Sequence, residues 1–553
     1  MTTQHEPRKI LVAVAWPYAS GSRHLGHLAG AYLPADVFAR YHRAAGNDVL
    51  MVSGSDVHGT PITVRAEAEG VSPEEIVERY HAEILENWKD LGFSWDLYTT
   101  TGTETHKRVV QEFFLTLLDK GYLYKKTTEQ FFDEEQQRFL PDRYVEGTCP
   151  HCGYEHARGD QCDNCGRTLD AHELIAPRSK LSGSRPVLRE TEHYYWKLSA
   201  FQEPLLEWLR TREGWRPHVI NFALGMVEEG LHDRAFTRDL DWGIPVPVDD
   251  LGPGKVIYVW WEAVMGYYSA PQEWAERRGT PDAWKEWWMN PAAESYYFVG
   301  KDNIPFHAVY WPALLMGHGG LDLPTDVPAN QYLTFGGEKG SASRGVGRSI
   351  SWYLERVEPD ALRYAVASVF PETHDTDLSD AEIVRRVNEE LVATWGNLVN
   401  RVVSMTHRYF GGAVPEAATD DVDEALLAEV DRTLVEAGEL IEAVKLRGAL
   451  QRLMVGAQAV NQYLNEREPW RTATSDMGRT GTTLAVALGA IAGLAAGLAP
   501  YLPFTSREVL EGMGLEVPPQ GPRWGRPALA VGATVAEPKP LFSKLEALER
   551  EVG

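Results

Sequence analysis

Residues 10–27 read ILVAVAWPYASGSRHLGH. Residues 10–15 are apolar at consecutive positions, the pattern of a strand buried on both faces of a parallel sheet. Trp16-Pro17-Tyr18-Ala19-Ser20-Gly21 reads as a turn, and helical sequence runs from 24 to about 45. A second strand follows at 49–53, and Ser72 with Glu75 forms a capping box that opens another helix. Strand, helix, strand, helix is the order of a doubly wound α/β sheet.

That rhythm stops near residue 120 and returns at 256–260 and 296–299, so the spacing predicts a split Rossmann-like parallel-sheet domain interrupted by an insertion. From about residue 379 the apolar spacing is helical, as at Ala425-Leu426-Leu427, Val430 and Leu434, and predicts an all-α bundle. The tail after Gly512 is rich in Pro and Gly and reads as an extended wrap with a short helix at 544–551. The expected division is 1–120 and 246–331 for the two halves of the sheet domain and 121–245 for the insertion. Residues 332–390 form a connecting segment, 391–515 the bundle and 516–553 the tail.

At 553 residues the chain exceeds what one core serves. Its 44% hydrophobic and 24% charged residues fit a soluble globular protein. The net charge of −25 argues against a nonspecific nucleic-acid coat, whose affinity comes from a basic surface, without excluding a nucleic-acid substrate. The polar first ten residues lack the apolar core of a signal peptide. Residues 484–499 form the one long uncharged apolar run, shorter than a membrane span and rich in Ala and Gly, which predicts a buried, closely packed helix. The expected location is the cytoplasm, with no membrane partner.

Three motifs carry chemistry. His24-Leu25-Gly26-His27 follows the first strand, where open α/β sheets bind ligands. Gly26 lets a nucleotide approach the backbone, and the two imidazoles with the helix N-terminus can stabilise phosphate charge. Alone, the pattern fits helix-surface or metal-binding histidines equally well. The second motif runs from Asn330-Gln331-Tyr332-Leu333-Thr334 into the Gly- and Ser-rich loop Lys339-Gly340-Ser341-Ala342-Ser343-Arg344, which can close over a triphosphate or be a plain linker. The third is Cys149-Pro150-His151-Cys152 with Cys162-Asp163-Asn164-Cys165. These are all four cysteines of the chain, spaced for a closed tetrathiolate zinc site of structural type, with His151 and His156 outside it.

Together, the first two motifs resemble the HIGH and KMSKS signatures of class I aminoacyl-tRNA synthetases. The resemblance narrows to the methionyl-tRNA synthetases on Ala15-Trp16-Pro17-Tyr18, Asp56-Val57-His58-Gly59-Thr60-Pro61, Leu140-Pro141-Asp142-Arg143, Arg238-Asp239-Leu240-Asp241-Trp242-Gly243, Gly300-Lys301-Asp302-Asn303 and Asp360-Ala361-Leu362-Arg363-Tyr364. It implies a methionine pocket of Trp16, Tyr18, Asp56, Trp260, Ala263, Tyr267, Phe306 and His307. Aromatic faces there suit a thioether, and Asp56 suits an α-ammonium. It implies catalytic roles for His24, His27, Lys301 and Lys339. The implied ATP contacts are Gly26, His24, His27, Asp302, Lys339, Ser341, Ala342 and Ser343, with Mg²⁺ accompanying ATP. Asn397, Arg401 and Trp470 fall on anticodon-reading positions, where an amide, a guanidinium and an indole suit unstacked bases.

The second signature departs from the family. Its fourth position, often Lys, is Ala342, and its second, usually Met or Phe, is Gly340. One branch resembles KFSTS, so loss of that Lys is not by itself disabling. Val57, Glu262 and Ser20 also differ from the usual residues. The leading expectation is a monomeric two-step ligase that forms methionyl-adenylate and charges tRNA(Met) without a covalent enzyme nucleophile. The alternative is a paralogue that adenylates an amino acid and passes it to a small amine or hydroxylamine. A non-catalytic tRNA-binding protein is the third reading.

Overall fold

The structure, a computed structural model, describes residues 7–548 except 163, 168 and 340–346. Five parallel strands form the central sheet: β1 (Lys9–Val14), β2 (Asp48–Ser55), β3 (Leu97–Thr100), β4 (Glu294–Gly300) and β5 (Ala329–Asn330). Their order is β5-β4-β1-β2-β3. Ile10 lies beside Val49 on one side and Glu294 on the other. Ile10, Val12 and Val14 enter one core and Leu11 and Ala13 the other, which is why β1 is apolar at every position after Lys9. The chain moves outward from β1 to β3, then returns to β4 on the opposite side of β1, so the order reverses between β1 and β4.

The helical stretch after β1 is Leu25–His27, a π-helical segment Leu28–Tyr32, then Leu33–Ala44. Residues 256–260 depart from expectation. Only Lys255–Ile257 is extended, and it pairs antiparallel with Thr237–Asp239 outside the parallel sheet. From Val259 the chain is α1 (Val259–Arg277), which packs across β2 and β3. The Val-Ile run is therefore half of a small ribbon, and the Trp, Ala and Met residues after it form the helix.

The insertion begins as a long antiparallel pair, Leu123–Asp133 with Val187–Trp196. Three short strands at its far end surround the cysteines. That end folds back on the sheet domain. The Tyr144 hydroxyl donates to Thr63 Oγ1 at 2.8 Å, and Arg138 pairs with Glu67 at 3.0 Å.

The helical part contains α2 (Asn397–Phe410), α3 (Asp421–Glu442), α4 (Leu446–Arg467) and α5 (Met477–Leu498). Among the described residues α5 alone is long and apolar enough to cross a membrane, but 89% of its most apolar window is buried inside the protein. It is the bundle's core helix. The tail is extended, as its composition predicts, and Trp524 bridges domains by donating its backbone N–H to Ala44 O and its indole N–H to Leu434 O. The short helix expected at 544–551 is absent as far as residue 548, and the rest lies outside the described residues. Asn388 takes both backbone groups of Leu545 at 2.9 Å, so a side chain supplies the bonds a helix would have made.

Sheet domain and bundle meet on one fully buried guanidinium. Arg363 donates to Leu91 O, Pro500 O, Tyr501 O and the buried Asp36 carboxylate, the last at 2.7 Å. Burial raises the Asp36 pKa, but Arg40 and Arg363 outweigh it and hold the carboxyl below the usual range. Arg363→Met leaves Asp36 half-compensated and three carbonyls unpaired. It should lower stability in chemical denaturation by about 3–5 kcal/mol, with part recovered on adding Asp36→Asn. An unchanged midpoint would show that Arg40 alone suffices.

Candidate active site

The loops leaving the carboxyl ends of four of the five central strands turn into one cavity of about 410 Å³. Residues 15–18 follow β1, Asp56 follows β2, Asp302 and Asn303 follow β4, and Gln331 to Leu333 follow β5. This is the crevice that the reversal between β1 and β4 opens. Within hydrogen-bond reach the first two loops continue the sheet, with Asp56 N–H donating to Pro17 O at 2.8 Å and Ala19 N–H to Asp56 O at 2.9 Å.

His24 and His27 share one wall. His24 Nδ1 accepts from the Gly26 N–H at 3.1 Å, and His27 Nδ1 accepts from the His24 N–H at 3.2 Å. A ring nitrogen that accepts cannot carry the proton, so each imidazole is neutral and keeps its N–H at Nε2. The rings pack with centroids 3.8 Å apart. A Cβ on Gly26 would sit 2.8 Å from the His24 ring, so the close approach that glycine permits is first of all to this imidazole.

The opposite wall is aromatic. Trp16 is slotted between Gly54 and Gly266, where an added Cβ would lie 2.2 Å and 2.6 Å from the indole. Tyr18 meets Trp260 edge-on at 6.0 Å, and Trp260 stacks on Phe306 at 4.1 Å. Phe306 backs Trp260 and does not line the cavity itself. Tyr267 donates its hydroxyl to His307 Nε2 at 2.7 Å while His307 Nδ1 donates to Asn303 O at 2.8 Å. Burial lowers the His307 pKa to about 4, in keeping with a neutral ring. Ala263 completes this wall.

Asp56 is buried at the cavity floor. Its Oδ1 accepts from the His58 N–H at 3.1 Å, and His58 makes a short hydrogen bond to the buried Glu262 carboxylate. Burial, and next the Glu262 charge, push the Asp56 carboxyl well above its ordinary pKa. Burial pulls the His58 imidazole down, yet Glu262 and Asp56 outweigh it and leave its pKa raised. The floor thus gathers acidic groups with one imidazole among them, a place that welcomes a cation.

Lys301 stands apart from the other residues singled out in the sequence. Its ammonium pairs with Asp375 at 2.8 Å and lies 3.7 Å over the Tyr332 ring, outside the cavity lining. Asp302 does line the cavity and accepts a short bond from the Tyr332 hydroxyl. The Lys339 backbone pairs with Thr334 at the start of the loop. Ser341, Ala342 and Ser343, with the Lys339 side chain, lie outside the described residues. Arg23, Arg143, Gln161 and Asn303 also line the cavity, and sequence reading did not select them. Arg143 and Gln161 come from the insertion, whose fold-back no local pattern announces. Arg143 sits 5.5 Å over the Tyr18 ring and pairs with Asp160 at 3.0 Å.

The four cysteine sulfurs lie within 4.8 Å of one another, with Cys149–Cys165 at 3.9 Å and Cys152–Cys162 at 3.6 Å. These distances exceed a disulfide's and match the ~3.8 Å edges of a tetrahedron with bonds near 2.3 Å. Gly153 and Gly166, both at φ 73°, close the two turns in a conformation other residues avoid. The four thiols can hold one metal ion. His151 and His156 face Arg167 and Glu146 instead.

A third cluster sits at the far end of the bundle. Asn397 and Arg401 lie one turn apart on α2, and the Arg401 guanidinium is 5.9 Å over the Trp470 ring. Glu468, in left-handed conformation, ends α4, and Pro469 opens a short helix that presents Trp470 at 38% exposure. Arg401 has no carboxylate partner among the described residues. Its side chain donates to neutral Asn461 at 3.2 Å, and its buried Nε has no partner.

A family model described as tRNA synthetases class I (M) matches residues 10–403, and one for the anticodon binding domain of methionyl tRNA ligase matches 414–552. The chain belongs to the methionyl-tRNA synthetase family. It is 50% identical to the methionine–tRNA ligase of Roseiflexus sp. (strain RS-1), over 98% of this chain and 97% of that protein. It is also 50% identical to that of Dehalococcoides mccartyi (strain CBDB1), over 97% of each. Among solved structures it resembles Mycobacterium tuberculosis methionyl-tRNA synthetase bound by methionyl-adenylate, with a TM-score of 0.79 and 25% identity over 97% of this chain and 100% of that one.

The slot around Trp16 gives a direct test. Gly54→Ala places a methyl against both the indole and Thr99 O, the latter at 2.5 Å. It should destabilise the fold by about 1–3 kcal/mol and alter the near-ultraviolet circular dichroism. An unchanged midpoint and spectrum would mean that the slot relaxes freely.

Proposed function

We propose that this protein is a methionine–tRNA ligase that forms methionyl-adenylate from methionine and ATP and charges the 3′ end of tRNA(Met). The observation that carries the reading is one cavity combining a neutral imidazole pair, an aromatic wall and a buried carboxylate, in a chain half identical to such ligases along its whole length.

Methionine enters with its thioether against Trp16, Tyr18, Trp260, Ala263, Tyr267 and His307, and Phe306 supports Trp260 from behind. Its α-ammonium faces Asp56. An arriving cation favours the ionised carboxylate, so binding releases the proton that burial and Glu262 favour on Asp56. The methionine carboxylate attacks the α-phosphorus of ATP, pyrophosphate leaves, and the mixed anhydride remains. The Nε2–H groups of His24 and His27 donate to phosphate oxygens as charge develops, with Gly26 giving room and Asp302 at the cavity edge. Lys339, Ser341, Ala342 and Ser343 belong to the loop that closes on the triphosphate, and Mg²⁺ accompanies ATP as part of the substrate. A terminal ribose hydroxyl of tRNA then attacks the acyl carbon and AMP leaves. Lys301 acts at the rim by holding Asp375 and Tyr332 in place. Asn397, Arg401 and Trp470 read the anticodon, Trp470 by stacking and Arg401 with donors that have no acid partner among the described residues. The reading carries with it a cytoplasmic location, a monomer and no membrane partner.

Zinc suits Cys149, Cys152, Cys162 and Cys165. Bound there, it cross-links the two turns and offers no open position for chemistry. About one zinc per chain is expected on metal analysis, and Cys152→Ser should lose it and slow the ligase through a loosened insertion. Protein free of zinc and of any other thiophilic metal would contradict this.

His24→Ala and His27→Ala should each lower methionine-dependent ATP–pyrophosphate exchange in kcat, by about 10²-fold or more. An effect confined to the methionine KM would move the histidines to another role. The acceptor is decided by transfer. With methionine, ATP and tRNA bearing the CAU anticodon, charging is expected and should be lost when that anticodon is changed. Exchange without charging of any tRNA would leave the small-molecule acceptor.

A further inference from the structure

A segment between the cavity and the bundle carries Asp375, the partner of Lys301, at one end and, at the other, Glu372, which has no part in this mechanism. Residues 371–377 leave the sheet domain beside β5, with Gln331 N–H donating to Pro371 O at 2.7 Å. Their far end supports the second signature loop. Thr376–Asp377 pairs with Leu333–Phe335, the strand that leads into the loop. Asp375 accepts from the Tyr332 N–H at 2.8 Å as well as from Lys301, and Asp377 accepts from Thr334 and from the Gly337 N–H.

The near end of the segment supports α4. This helix begins at Leu446, and Lys445 before it gives no side-chain cap. The first N–H groups of a helix lack internal partners. Here Glu372, from another domain, supplies one, accepting from the Arg447 N–H at 3.0 Å, and its negative charge suits the positive helix end. Arg216 fixes the same corner, donating to Val444 O at 3.2 Å, to Ala329 O at 2.9 Å and to the Asn330 side chain. Asn330 in turn donates to Ala29 O in the π-helical segment after His27. Val444 itself is held at φ 52°, a strained conformation for a β-branched residue, so the corner is stiffly held. From Glu372, α4 runs unbroken for 22 residues, about 33 Å, to the turn that presents Trp470.

We propose that Glu372 is a positioning residue that ties the Trp470 end of α4 to the strand carrying the second signature loop, so that engagement of the anticodon improves the geometry for transfer. The inference rests on the reading of Asn397, Arg401 and Trp470 as the anticodon face. A rigid helix capped from the catalytic side transmits a tilt at one end to the other. The carboxylate of Glu372 is the joint. Without it, Asp375 and Asp377 still hold the loop strand, so the tRNA-free step keeps its geometry.

The test uses the full-length protein, tRNA with the CAU anticodon, and the same tRNA with that anticodon changed. Glu372→Ala should lower kcat for charging the CAU tRNA by about tenfold. The KM for that tRNA, and exchange without tRNA, should stay within about twofold of wild type. Glu372→Gln, whose amide oxygen still accepts a hydrogen bond, should recover most of the loss. Combined with Trp470→Ala, the Glu372→Ala effect on kcat should disappear, because the joint has nothing left to transmit. Equal losses in exchange and charging, shared by the Gln variant, would overturn the proposal and make Glu372 a fold residue. So would full additivity with Trp470→Ala. If Trp470→Ala leaves tRNA recognition untouched, the anticodon reading fails and takes the coupling with it. If Trp470→Ala acts and Glu372→Ala leaves kcat unchanged, only the coupling fails.

Discussion

The reversal of strand order between β1 and β4 governs the rest of the molecule. Chains leaving these two neighbouring strands must diverge, because one continues toward β2 and the other toward β5. A gap opens where they part, and backbone N–H groups and helix starts border it. Each element added later has to line, cover or brace this gap. The first helix turn lines it with two imidazoles, α1 closes it from one face with Trp260 and Tyr267, and the insertion folds back to cover it with Arg143 and Gln161. Such a site is built by divergence and not by burial of a preformed core, which is why several of its walls come from residues hundreds of positions apart.

Two kinds of support keep those walls in place. Near the sheet the support is steric. Trp16 is held by missing side chains at Gly54 and Gly266, so its position is set to within a fraction of an ångström. Far from the sheet a core is too small to do this. The end of the insertion has few buried residues, and a metal held by the two cysteine turns would cross-link them in place of the missing core. A metal held there would be coupled to the cavity, because Asp160, which anchors Arg143 over Tyr18, lies next to Gln161 and Cys162 in the second cysteine loop.

What could be read from the sequence were the features whose physics is local. An apolar run followed by a turn and two histidines, or two CxxC turns each closed by glycine, acts over fewer than 20 residues. The split sheet was legible too, because its strands keep their pattern on either side of the insertion. Long-range pairing was not. His58 and Glu262 are separated by 204 positions, and nothing around either announces the other. Lys301 carries the right charge in the right loop, but Asp375 claims it. Phe306 is aromatic at the expected place, yet stacking on Trp260 turns it from a lining residue into a backing one. The strand expected at 256–260 and, as far as residue 548, the helix expected at 544–551 departed from expectation for a related reason. In each, partners elsewhere in the chain took the backbone groups that local propensity had assigned.

Charge explains how an acidic chain can select a polyanion. At a net −25 the protein as a whole repels nucleic acid, and most arginines of the bundle are already neutralised. Arg467 and Arg479 share Asp420 and Asp423, Arg452 lies between Glu429 and Glu436, and Arg385 pairs with Glu382 and Glu390. Phosphate attraction, which is blind to base identity, is thereby kept small. Arg401 is different. It faces an exposed indole and bonds only a neutral amide among the described residues, which is the geometry behind the proposed role of Trp470 and Arg401 toward unstacked bases. On the proposed reading of Trp470 as a stacking platform, damping the general attraction while leaving Arg401 beside it converts a weak nonspecific affinity into a dependence on the bases themselves. On that proposal the repulsion of the surrounding surface is part of how the anticodon is chosen, because a tRNA that cannot stack and hydrogen-bond there has little else to hold it.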